Sequence, residues 1–143
     1  MILYLETSSL VKLYVREPDS EAVRQLVGVA DVVATSILAY AEARAAFARK
    51  RREKGISDAA YASVKEALEQ DWPSYFILSL AGQTVKTAGD LAEKHALRGF
   101  DAVHLASALD LRLSGASTIR FLTADSRLRD AARAEGFETS PAR

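Results

Sequence analysis

Four short apolar runs, at residues 2–5, 31–35, 75–80 and 119–122, are separated by longer stretches in which apolar side chains recur at helical spacing. This alternation constrains the chain more than any other feature. A strand followed by a helix and then another strand returns to its sheet in parallel, since parallel neighbours need a long crossover and antiparallel ones only a tight turn. The expected class is α/β, a mainly parallel sheet with helices on both faces. With 143 residues the chain suits one domain, 1–143, with one core.

The details support that reading. Ile2–Leu5 ends at Glu6, and Thr7, Ser8 and Ser9 offer capping hydroxyls before the apolar positions Leu10, Val11, Leu13 and Tyr14. Pro18 stops this helix, and Asp19 or Ser20 caps another running to about Val29. After the second strand, Leu38, Ala41, Ala45 and Ala48 follow helical spacing until Gly55, with Glu42 one turn inside. Ser57 begins a helix to about Gln70, and the Trp72–Pro73 break precedes the third strand. Helical patterns cover roughly 83–95 and 101–113, the second so apolar that it belongs at the centre. After Ile119–Leu122, Asp125 or Ser126 caps a last helix that ends before Gly136, and the tail Ser140–Arg143 is expected to fray.

Composition removes several classes of function. There is no cysteine, which excludes disulfides, thiolate metal sites and a cysteine nucleophile and suits a reducing cytoplasm. Nineteen basic residues balance nineteen acidic ones, so any nucleic-acid surface must be local. Glu6 and Lys12 interrupt the apolar start too early for a signal-peptide core, and no apolar run reaches membrane-spanning length. Neither a GxGxxG nor a GxxxxGK[ST] phosphate loop occurs, which argues against a nucleotide-binding α/β protein.

Four carboxylates remain: Glu6, Glu42, Asp101 and Asp125, all at strand ends or in the helices that follow. In an open parallel sheet such positions meet at one edge, where ligands bind. Oxygen donors suit Mg²⁺ or Mn²⁺, and these ions support hydrolysis of a phosphodiester. Mutual repulsion is expected to raise at least one carboxyl pKa. Ser8 and Thr123, two residues from Glu6 and Asp125, are placed to orient them. Each acid also has a plainer use: Asp101 and Asp125 as helix caps, Glu42 as a solvated helix residue. Glu6, directly after an apolar strand, is harder to explain that way. Arg98, Arg127 and the basic run Arg49, Lys50, Arg51 and Arg52 are candidate phosphate contacts; the plainer use of the first two is as solvated surface arginines, and of the run as a solvated helix end that suits the helix dipole. His104, among apolar neighbours, reads as a packed structural histidine.

In order along the chain, LETSSLVKLY, AYAEARAAF, LRGFDAVHLASAL and FLTADSRL resemble the PIN-domain ribonucleases, most closely the VapC-type toxins of toxin–antitoxin pairs. The resemblance implies a three-layer α/β/α sandwich and Mg²⁺- or Mn²⁺-dependent endoribonuclease activity on structured RNA such as tRNA or rRNA. It also implies a homodimer, neutralised by a cognate VapB-type antitoxin. Position by position, Glu42, Asp101 and Asp125 match three acids of the family's quartet. Glu6 stands where the family has aspartate, so its carboxylate reaches outward by roughly one C–C bond, against a tolerance of about 0.5 Å in functional sites. The alternative implied is a PIN-fold module with impaired catalysis that binds RNA or antitoxin.

Overall fold

Strand β1 (Ile2–Leu5) is central because both of its faces are apolar: Leu3 and Leu5 pack into one helical layer and Tyr4 into the other. Such two-sided burial is expected of a strand inside a parallel sheet. The computed structural model describes residues 1–115 and 118–139, so the expected fraying of 140–143 lies outside the described residues. Within them β1 pairs in parallel with β2 (Val32–Ser36) on one side and β4 (Ile119–Leu122) on the other. Ile2 stands opposite both Val32 and Ile119. The edge strand β3 (Phe76–Leu78) pairs in parallel with β2, giving the order β3-β2-β1-β4.

Among the described residues, seven α-helices cover the sheet. On the face of Leu3, Leu5 and Leu122 lie α1 (Thr7–Val11), α2 (Ser20–Val29), α3 (Leu38–Arg52) and α4 (Asp58–Asp71). Val23, Ala43, Phe47 and Leu68 are their buried contributions. On the face of Tyr4, Ala34 and Phe121 lie α5 (Gly82–His95), α6 (Gly99–Leu113) and α7 (Ser126–Ala134). Helix α6 is the apolar helix expected at the centre, with eight of its residues buried. Each large apolar side chain taken wholly from water, such as Phe47 or Phe121, contributes about 1.5–3 kcal/mol. The result is the α/β/α sandwich that the resemblance implied. Among the described residues no helix is long and apolar enough to cross a membrane.

The departures from expectation are local. Helix α1 ends at Val11, short of the apolar positions through Tyr14, because the backbone tightens there. Lys12, Leu13 and Tyr14 donate to carbonyls three residues back, at 3.0–3.2 Å, as in a 3₁₀ turn. Strand β3 spans three residues of the expected 75–80, since it has β2 as its one neighbour and its ladder stops where Ser36 meets Leu78. Helix α6 begins at Gly99, two residues early, which puts Asp101 inside the first turn; the N-cap position belongs to Arg98, and Asp101 does not fill it.

Strand order reverses at β1: β2 and β3 extend to one side, β4 to the other. That reversal opens a crevice beyond the carboxyl ends of β1 and β4, the usual ligand position in an open α/β sheet.

Candidate active site

Glu6 leaves the end of β1, with its backbone N–H still bonded to the Leu122 carbonyl at 3.0 Å. The residue is 7% exposed, and a carboxylate so buried needs donors. Both come from hydroxyls and both reach Oε1: Thr123 Oγ at 2.7 Å, and Ser8 Oγ in a short bond. The same hydroxyls accept backbone N–H groups, Ser8 from Ala124 at 2.8 Å and Thr123 from Asp125 at 3.1 Å. Ser8 and Thr123 therefore stitch the turn after β1 to the turn after β4, with Glu6 between them.

Glu42, on α3, is set differently. Thr7 Oγ donates to its Oε1 at 2.5 Å, and His104 Nε2 lies 2.8 Å from the same atom. Burial pushes the Glu42 carboxyl up, but the hydrogen bonds from His104 and Thr7, with the positive charge of Arg98 nearby, outweigh it and hold the group below its ordinary range. For Glu42 this is opposite to the upward shift that mutual repulsion alone predicts. The cause is the set of donors and the guanidinium packed among the acids. On Glu6 and Glu42 alike, Oε2 has no hydrogen-bond partner among the described residues.

Asp101, in the first turn of α6, accepts Arg98 Nε on Oδ2 at 3.0 Å. Arg98 Nη2 also stands 3.5 Å from Asp125 Oδ2. Asp125 caps α7 as well, its Oδ1 accepting Leu128 N–H at 3.0 Å, so its plainer use is real and coexists with its place beside the other acids. Arg98 itself is a solvent-side group, 81% exposed, laid across two carboxylates.

Glu6, Glu42 and Asp101 line one open depression of about 650 Å³ together with Thr7, Ser8 and Arg98. Asp125 is joined to it through Arg98. Of the basic candidates, Arg49 lines the depression and pairs with Glu53 at 3.0 Å. Arg52 is exposed at the end of α3 and Arg127 reaches the Ala96 carbonyl at 3.3 Å; neither is among the lining residues. Lys50, from the same basic run as Arg49, lines the depression too, held 2.8 Å from Glu17; the cation that escaped sequence reasoning is the buried Lys12, whose ammonium donates to the Pro18 carbonyl at 2.7 Å. Thr7 and His104 were also underread, the first as a cap and the second as packing. Their signal was spacing, since Thr7 follows Glu6 and His104 lies three residues, about one turn, after Asp101.

The donors are carboxylate and hydroxyl oxygens, which fit a hard divalent cation. Among the described residues no group of three His, Asp or Glu side chains stands close enough to form a ready metal cage. Mg²⁺ takes one or two protein carboxylates and completes its shell with water and substrate phosphate.

The PIN domain family matches residues 3–134. Over 141 residues, 99% of this chain and 96% of its counterpart, the sequence is 36% identical to ribonuclease VapC45 of Mycobacterium tuberculosis. A toxin–antitoxin complex from Klebsiella pneumoniae has a chain of the same fold at TM-score 0.62 and 14% identity, with 87% of each chain covered. The VapC20 toxin of Mycobacterium tuberculosis, described as cleaving the sarcin–ricin loop, aligns at TM-score 0.63 and 17% identity over 94% of this chain and 95% of its own.

Proposed function

This chain belongs to the PIN-domain family, and on that premise we propose that it is a divalent-metal-dependent endoribonuclease toxin, neutralised by a cognate VapB-type antitoxin. Its substrate is structured RNA of the tRNA or rRNA class, and it acts in the cytoplasm as a homodimer. The observation that carries the reading is the approach of Glu6, Glu42 and Asp101 in one depression, with Asp125 tied in by Arg98. The ribonuclease relative and the loop-cleaving neighbour support the substrate class, and the toxin–antitoxin neighbour supports the partner.

Glu6, Glu42, Asp101 and Asp125 would hold Mg²⁺ or Mn²⁺. When bound, such an ion polarises phosphate oxygens and makes coordinated water more acidic. The protein's own groups do the positioning. Ser8 and Thr123 fix Glu6, Thr7 and His104 fix Glu42, and in each case the second carboxylate oxygen stays available. Arg49, Lys50 and Lys12 supply a basic wall that offsets the acids for a polyanion. Arg98, once released from Asp101 and Asp125, presents a fork matched to a phosphate. The acids likewise suit an arginine from a neutralising partner, which would bind where Arg98 now sits.

Cleavage of a mixed RNA substrate with Mg²⁺, Mn²⁺ or EDTA tests the reading, with Asp101→Asn as control. Metal-dependent cutting lost in that variant is expected. Tight binding of RNA or antitoxin with no cutting under any metal would favour the catalytically impaired module, for which Glu6 in an aspartate position is the specific argument.

A further inference from the structure

His104 is wholly buried in α6, and burying an imidazole is unfavourable unless both nitrogens are bonded. Both are. Nδ1 lies 2.8 Å from the Tyr4 hydroxyl, and Nε2 lies 2.8 Å from Glu42 Oε1 and 3.1 Å from Thr7 Oγ. A carboxylate only accepts, so the proton sits on Nε2; in the neutral ring Nδ1 then accepts, and Tyr4 is its donor. Tyr4 is equally buried and has little freedom, stacked on Phe121 with ring centres 5.2 Å apart and planes 5° from parallel. The chain of bonds starts at the central strand, passes through α6 in one layer and ends on α3 in the other.

We propose that His104, backed by Tyr4, is a positioning residue that turns the Glu42 carboxylate so that Oε1 is held by the protein and Oε2 is presented to a divalent cation. This rests on the reading of Glu42 as a metal ligand and adds to it the device that orients the ligand. Asp101 shows the contrast: its partner Arg98 is exposed and has no such backing from the core. Glu42 is thus set before any cation arrives, whereas Asp101 and Asp125 are set by a guanidinium that must leave. A histidine kept for packing alone needs no directed bond to a carboxylate at the sheet edge.

The test measures Mn²⁺ affinity by calorimetry for the whole protein, with His104→Leu, His104→Gln, Tyr4→Phe and Glu42→Gln, folding being checked by circular dichroism. Nitrogen-15 spectra of the parent should show His104 protonated on Nε2. His104→Leu should weaken Mn²⁺ binding about 10–100-fold, the usual cost of losing such a support. His104→Gln, whose amide brings an N–H to the place of Nε2, should recover much of it, and Tyr4→Phe should fall between. A folded His104→Leu that binds Mn²⁺ like the parent, or a glutamine variant no better than leucine, overturns the proposal. If the leucine variant does not fold, Tyr4→Phe decides: parent-like affinity with an unchanged tautomer refutes it. Unchanged binding by Glu42→Gln would sink the ligand reading itself and this inference with it, a pattern distinct from failure at His104 alone.

Discussion

Arg98 and Asp101 are joined by a 3.0 Å hydrogen bond from Nε to Oδ2, which places a positive charge of the chain's own among its acids. The bond, with the charge of Asp101, raises the pKa of the guanidinium. A divalent cation held as proposed would therefore compete with Arg98 for the same oxygens. Arg98→Ala should tighten Mn²⁺ binding roughly two- to tenfold, in keeping with the modest strength of exposed ion pairs. Titration calorimetry measures it, with Arg127→Ala controlling for the loss of a charge that touches none of the acids. Unchanged or weaker binding in Arg98→Ala would refute the competition.

Glu6 should be the most informative single position for activity. If it holds metal where aspartate fits better, Glu6→Asp raises divalent-dependent RNA cleavage, because a misplacement of about 1 Å costs on the order of 10²-fold. Glu6→Ala abolishes the remainder. Initial rates on one RNA with Mg²⁺ and Mn²⁺ check both, and an alanine variant as active as its parent removes Glu6 from the site.

Asp125 caps α7 and, on the proposed function, also serves the site; two substitutions separate these roles. Asp125→Ala should lower stability by about 1 kcal/mol through loss of the α7 cap. Asp125→Asn keeps a capping oxygen and should stay within a few tenths of a kcal/mol of the parent. Both should lose cleavage. Urea unfolding beside an RNA assay distinguishes them, and full activity in Asp125→Asn would leave Asp125 a cap alone.

Acid sensitivity should trace in part to Glu135, just after α7. Lys94 and His95 hydrogen-bond its Oε2 at 2.8 and 2.7 Å and hold its carboxyl below the ordinary range. A carboxyl depressed in the folded state stabilises the protein above its unfolded pKa, and that contribution is lost as pH falls through the lower folded value. Melting temperatures from neutral pH down through the carboxylate range should therefore fall less steeply for Glu135→Gln than for the parent. Parallel curves would show that the tie between α5 and the end of α7 contributes nothing.

Much of this protein was legible along the chain because it depends on neighbours in sequence. Strand β4 falls at Ile119–Leu122 as read, and Ser57 and Asp125 do cap α4 and α7 through their side chains. The alternation of strand and helix leads to a parallel sheet because no short turn is available to make it antiparallel. Acids after β1 and β4 follow from the same local pattern. What depends on distant approach was not legible. The strand order, the bond between Tyr4 and His104 across 100 positions, and the laying of Arg98 over Asp101 and Asp125 are decided by how the layers pack. Tertiary structure likewise separates Arg49 and Lys50, which line the depression, from Arg52 in the same basic run. Residues on one helix face different surroundings at 100° intervals, and only packing says which face meets the site. The kinds of chemistry available were thus set by residue type and local periodicity, whereas the partner of each carboxylate was set by the closing of the two helical layers around β1.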